Sequence, residues 1–146
     1  MANEATRIES FGNLNNHEYQ VTVANATAIS KGTLMILSAD PRTAIASSGI
    51  NQIFIGVANA DKEASDGATR IGVDSSGIFD MTCVAGTLDI PAFGDLVELS
   101  GANLIRAVKR NTVSGADFVS GAKFVLGRAL ETGSASEVIA VKIPPW

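Results

Sequence analysis

Apolar and polar residues alternate with a period of two along much of the chain. Tyr19, Val21 and Val23 are interleaved with Glu18, Gln20 and Thr22; Phe79, Met81 and Cys83 with Asp80 and Thr82; Ile139, Val141 and Ile143 with Ala140 and Lys142. Successive side chains of a strand point to opposite faces, so each run predicts a β-strand with one buried and one wet face. Leu34-Met35-Ile36-Leu37 has no polar alternation and predicts a strand covered on both sides. Turn formers separate these runs at short intervals: Ser30-Lys31-Gly32, Asp40-Pro41, Ser47-Ser48-Gly49, Ser65-Asp66-Gly67, Ser75-Ser76-Gly77, Phe93-Gly94-Asp95, Ser100-Gly101 and Thr132-Gly133-Ser134. Many short strands at even spacing predict an all-β barrel or sandwich. No segment predicts a helix longer than about two turns, and the Ser-Asp-Gly tail of Ala60–Ala68 favours a loop there.

A weak internal repeat runs through the same pattern. Ile29-Ser30-Lys31-Gly32-Thr33-Leu34-Met35-Ile36-Leu37-Ser38 resembles residues Ile90 to Ser100 with one residue inserted. Each copy leads to a strand-like stretch with a central glycine, Phe54-Ile55-Gly56-Val57-Ala58 and Val125-Leu126-Gly127-Arg128-Ala129. Each then reaches an alternating strand, at Ile71-Gly72-Val73 and Ile139-Ala140-Val141. A mid-strand glycine lets a sheet bend sharply or a second backbone come close, and two such bends help a sheet close on itself. Duplication and chance likeness are both open readings of this repeat.

The ends differ from the middle. Residues 1–16 are polar and Asn-rich, with Ile8, Phe11 and Leu14 spaced by three. That spacing fits one face of a short helix and also an extended arm with three anchors. Asn13-Leu14-Asn15-Asn16 speaks against the helix, because Asn competes for backbone hydrogen bonds. The other end, Ile143-Pro144-Pro145-Trp146, stops the last strand with two prolines. The terminal indole either folds back on its own domain or docks on a partner.

The chain has 146 residues and a formal charge of −4, with 46% apolar and 18% charged residues. That length suits one domain, and that balance excludes a wholly disordered chain. Nucleic-acid binding wants a basic surplus, which is absent. A single Cys rules out an intramolecular disulfide framework and a Cys-based zinc site, and a single His rules out a His cluster. The first residues lack the basic patch and apolar stretch of a secretory leader, so synthesis in the cytoplasm is expected. His17 has no nucleophile motif beside it, and Cys83 reads as a small buried hydrophobe. The acidic loop Asp61–Gly67 lacks the ligand spacing of a calcium loop. Arg106, Lys109 and Arg110, without an aromatic platform, read as a solvated edge or a subunit salt bridge. No catalytic, cofactor or metal residue is therefore expected, and the chain is not read as an enzyme.

The series Gly32–Leu37, Ile55-Gly56-Val57-Ala58, Gly77–Met81, Ile90–Val97, Leu126-Gly127-Arg128-Ala129 and Val138–Val141 resembles the capsid decoration (cement) proteins of tailed bacteriophages. The resemblance covers about residues 18–143. It implies an all-β chain, a small β-barrel or β-tulip over 17–143, with an extended N-terminal arm over 1–16 and a short C-terminal tail at 144–146. It implies a protein on the outer capsid surface of the virion that stabilises the expanded head, as homotrimers at quasi-threefold positions. The partners implied are the major capsid protein and the chain itself, with no nucleic acid and no membrane. Arg7, Ile8, Phe11, Leu14, Pro144, Pro145 and Trp146 are the candidate partner-binding residues. The alternative reading is a carbohydrate-binding or adhesive β module of a phage fibre.

Overall fold

The computed structural model describes residues 3–9, 18–108 and 122–144. In chain order the strands are β1 (Thr6–Glu9), β2 (Glu18–Thr22), β3 (Leu34–Leu37), β4 (Ala44–Ala46), β5 (Phe54–Ala58), β6 (Arg70–Asp74), β7 (Gly77–Cys83), β8 (Leu96–Gly101), β9 (Leu104–Ala107), β10 (Val125–Ala129) and β11 (Val138–Ile143). Among the described residues the only helical element is a 3₁₀ turn at Ala122–Phe124. The chain is all-β, as the alternation predicts.

The strands form two sheets. One has the order β1-β7-β11-β10-β8-β9, and a parallel pairing of Thr82 and Cys83 with Leu104 and Ile105 joins β9 back to β7. That contact closes a five-stranded barrel, with β1 as an added strand beside the first half of β7. The other sheet has the order β2-β6-β5-β3-β4, and a single parallel bridge from Thr22 to Thr43 joins its two ends. The expected barrel over 17–143 is thus two barrels in succession, linked through Ser75 and Ser76.

The two barrels have the same topology. Replacing β2, β3, β4, β5 and β6 by β7, β8, β9, β10 and β11 turns one strand order into the other, closure included. The registers agree residue by residue: Met35 opposite Gly56 becomes Val97 opposite Gly127, and Ala58 opposite Val73 becomes Ala129 opposite Val141. A register shift follows at the same place, past Ile55 in one copy and Leu126 in the other. Even the turns repeat, with positive φ at Gly32 and Gly94 (91° and 84°) and at Arg42 and Asn103 (51° and 57°). The sequence repeat is therefore a duplication of the barrel unit. Its first segment aligns without the insertion expected from sequence, because the Gly32 N–H bonds Ala58 O as the Gly94 N–H bonds Ala129 O. Ile29 corresponds to Pro91, not to Ile90.

Inward-facing residues at alternate positions fill both barrels. Val21, Met35, Ala58, Ile71 and Val73 pack in the first, and Met81, Val97, Leu126, Ile139 and Val141 in the second. Leu34, Ile36 and Val57, on the outward face of the first barrel, join the core of the second. That explains most of the unbroken apolar run in β3: Met35 serves one core and Leu34 and Ile36 the other, whereas Leu37 at its end is exposed, contrary to the expected cover on both sides.

The two mid-strand glycines do the same steric job. A Cβ on Gly56 (φ +155°) would stand 2.8 Å from the carbonyl oxygen of Asp74 on β6, and one on Gly127 would meet that of Lys142 on β11. Each marks a place where the adjacent strand comes too close for any side chain. Gly56→Ala and Gly127→Ala are each expected to lower stability by about 1–3 kcal/mol, the scale of overpacking a tight contact. Urea denaturation against the wild type measures this.

Candidate functional site

The N-terminal segment crosses the junction between the barrels. The Ala5 N–H bonds Gly32 O of the first barrel at 2.6 Å, and Ala5 is buried. Thr6 to Glu9 then pair with β7 of the second. The Arg7 guanidinium lies 2.6 Å from Asp74 and 5.2 Å from the centroid of the Phe79 ring. Residues 3–9 of the expected arm thus belong to the folded body. The three-residue spacing from Ile8 does not reveal this; the enabling residue is Gly32, where a Cβ would collide with the Ala5 carbonyl oxygen. Arg7 is engaged within the chain, whereas Ile8 is exposed.

Phe11 and Leu14 lie outside the described residues, as does His17. The ends of that segment are fixed close together: Glu9 pairs with Ile78, and Glu18 pairs with Asp74. Residues 10–17 therefore join two sheet-bound strands. At the other terminus Ile143 pairs with Gly77, followed by exposed Pro144; Pro145 and Trp146 are outside the described residues. The described flanks of both candidate binding segments meet at the start of β7.

A second feature stands at the opposite end of that barrel. Leu88 and Phe93, in the β7–β8 loop, are 76% and 75% exposed, and Val138 at the start of β11 is 54% exposed. The Phe93 turn is tightly held: its N–H bonds Thr132 Oγ1, the Ala92 N–H bonds Asp95 Oδ2, and the Gly94 N–H bonds Ala129 O. A bulky ring on so constrained a turn loses little entropy on docking. The duplication shows what the fold needs here. At the positions of Phe93 and Val138 the first barrel carries Lys31 and Arg70, both exposed. The barrel is built equally well with cations there, so the apolar identity of the pair is not required for folding. The signal for this outward place is in the sequence, where Phe93 sits in the Phe93-Gly94-Asp95 turn.

Several other polar groups among the described residues have structural partners. The acidic loop Asp61–Gly67 folds around Lys62, whose ammonium donates to the carbonyls of Asn25, Thr27 and Glu63 at 2.8–3.1 Å and lies 3.4 Å from Asp66. The Ala68 N–H, followed by Lys62, holds the Asp66 carboxyl below its ordinary range. Arg106 bonds Glu98 Oε1 across β8 and β9 at 2.7–2.8 Å, so it is paired inside its own barrel; Lys109 and Arg110 lie outside the described residues. The Tyr19 hydroxyl donates to Ile55 O at 2.7 Å. Asn103, fully buried, accepts from the Leu34 N–H and donates its own N–H to Ser47 Oγ, tying the β8–β9 turn into the first barrel. Among the described residues no group of three or more His, Cys, Asp and Glu is placed to hold a metal ion, and no helix is long and apolar enough to cross a membrane.

Burial pushes the Cys83 thiol up to about 11, and the carboxylates of Glu137 and Glu131 push in the same direction. A thiol this far from ionisation, in an apolar barrel, is a poor nucleophile.

No family model matches the chain, and no curated protein matches it significantly.

Two outcomes are expected from this geometry. Arg7→Ala removes both the Asp74 pair and the stacking on Phe79, so amide exchange in β1 accelerates and stability falls by about 1–2 kcal/mol, as for a partly buried charged hydrogen bond. Unaltered exchange at residues 6–9 would contradict this. For Cys83 the folded state holds the thiol proton more tightly than the unfolded chain. Its contribution is fully present below pH 9 and is lost as pH rises toward 11. Denaturation midpoints should fall over that window, less so in Cys83→Ala, and a thiol reagent at pH 8 should label Cys83 only on unfolding.

Proposed function

We propose that the chain is a capsid decoration protein, which binds the outer surface of a tailed-phage head and stabilises the expanded shell, as trimers at quasi-threefold positions. The observation that carries this reading is the distribution of apolar side chains. Both barrel interiors are packed with them, while Phe93 and Val138 are held out in solvent where the duplicate barrel shows that the fold does not need them, and Leu88 in the same loop as Phe93 is exposed as well. Such a molecule works through its outer surface. The order of strands and glycine turns that resembles the decoration proteins supports the same reading.

The physical mechanism is linkage. A protein that binds one state of a shell stabilises that state by mass action, so a site formed only on expansion favours the expanded head. Several weak attachments joined in one oligomer bind far more tightly than each alone, through effective concentration. The net charge of −4 keeps such a coat soluble and away from packaged nucleic acid.

One observation favours the adhesive alternative. Phe93 is an exposed aromatic on a rigid turn, the kind of platform on which a sugar ring stacks. Glycan binding lost in Phe93→Ala would promote that reading.

The experiment is direct. Purified protein is mixed with expanded heads of the parent particle that lack it. Co-sedimentation and a raised melting temperature of the heads are expected. Failure to associate with expanded heads would overturn the proposal.

A further inference from the structure

Leu37 and Leu99 hold equivalent positions, each the inward-facing residue nearest the turn that follows it. Leu99 is sealed, because the outer face of the first barrel lies across that end of the second. Leu34, Ile36 and Val57 share one cluster with Leu99 and Ile105, and Asn103 is bonded to Leu34 and Ser47. Among the described residues nothing covers the same end of the first barrel in this way, and Leu37 is 41% exposed. Ile53, whose carbonyl accepts the Leu37 N–H at 2.9 Å, is exposed beside it. Ile45, next to the Ala44 that pairs with Leu37, and Ile50 in the β4–β5 segment are also exposed, 47% and 49%.

We propose that this open barrel end is where copies of the chain contact one another. The occupant is a second copy for three reasons. The cap on the equivalent end of the second barrel is itself a unit of this fold, so the end is of a kind that such units close. Ile45 pairs with Ile36, a member of the inter-barrel cluster, so the exposed surface is continuous with the interface inside the chain. The turn beside Leu37 carries Asp40 and Arg42, one charge of each sign, so like surfaces meet without net repulsion.

The geometry also selects which surface of the second copy is used. The outer face of the second barrel has Glu98 and Arg106, an ion pair, where the first has Ile36 and Ile45. Covering an apolar end with that pair would strip water from two charges. The apolar surface is better covered by its own counterpart, which places the same residues of each copy around a rotation axis.

The contact gives a surface to the trimer proposed above and rests on that reading, but it is tested without heads, so that its failure and that of capsid binding are told apart. Sedimentation velocity of the purified protein should show a species larger than the 15.1 kDa chain. Ile50→Lys, in the β4–β5 segment, and Leu37→Lys, whose long stem can carry its charge out to water, should each weaken association by about tenfold or more while circular dichroism is unchanged. Ile8→Lys, on β1, should leave association as in the wild type. A wild type that is monomeric at about 100 μM, where even weak specific contacts form, overturns the inference. So does association that survives both patch variants, or that is lost in Ile8→Lys. A monomer that still binds heads removes the patch and keeps the capsid binding; an oligomer that ignores heads does the reverse.

Discussion

Two parallel contacts hold this architecture in its closed form: Thr82 and Cys83 against Leu104 and Ile105 in one barrel, and Thr22 against Thr43 in the other. A sheet left open would present rows of unpaired N–H and C=O groups, which template aggregation. Closure needs strong curvature, and the curvature is supplied at Gly56 and Gly127, where the neighbouring backbone occupies the space of a side chain. Once the strands wrap, alternate residues are forced inward and the others outward. Every apolar side chain found outside then has to be explained by something other than that barrel's own core.

For Leu34, Ile36 and Val57 the explanation is the second barrel, which packs on them. β1 reinforces that union from the side, bonding to one barrel at Ala5 and to the other at Thr6–Glu9. Asn103 contributes from within. Its side chain satisfies the N–H of Leu34 at the start of β3, which would otherwise be buried without a partner, a cost of about 1–3 kcal/mol. Polar atoms at this junction therefore set the alignment, while the apolar area gives most of the adhesion.

Much of the fold was legible because period two is enforced at every residue of a half-buried strand. Phe79, Met81 and Cys83 could face only one way once Asp80 and Thr82 faced the other. The duplication was legible at Gly56 and Gly127, where only glycine fits, and blurred at Ile29, which bonds Lys62 through both N–H and carbonyl where Pro91 keeps only the carbonyl bond, to Gly133. The sequence does not say whether one barrel or two results, since closure depends on pairings such as Thr22 with Thr43 that leave no residue signature. The surface was least legible. Phe93 and Phe79 look alike in composition, and only the turn beneath Phe93 sends it outward. Arg7 resembled a free arm residue because its partner Asp74 is distant in the chain.

The seat of Lys62 has a consequence for the loop around it. An ammonium ringed by three carbonyls and a carboxylate is the arrangement by which many surface loops hold a metal ion, except that here the cation is tethered to the backbone. A tethered charge cannot be chelated, exchanged or diluted away. The rim of the first barrel thereby carries its own counter-cation for these carbonyls and needs no free metal ion to bridge them.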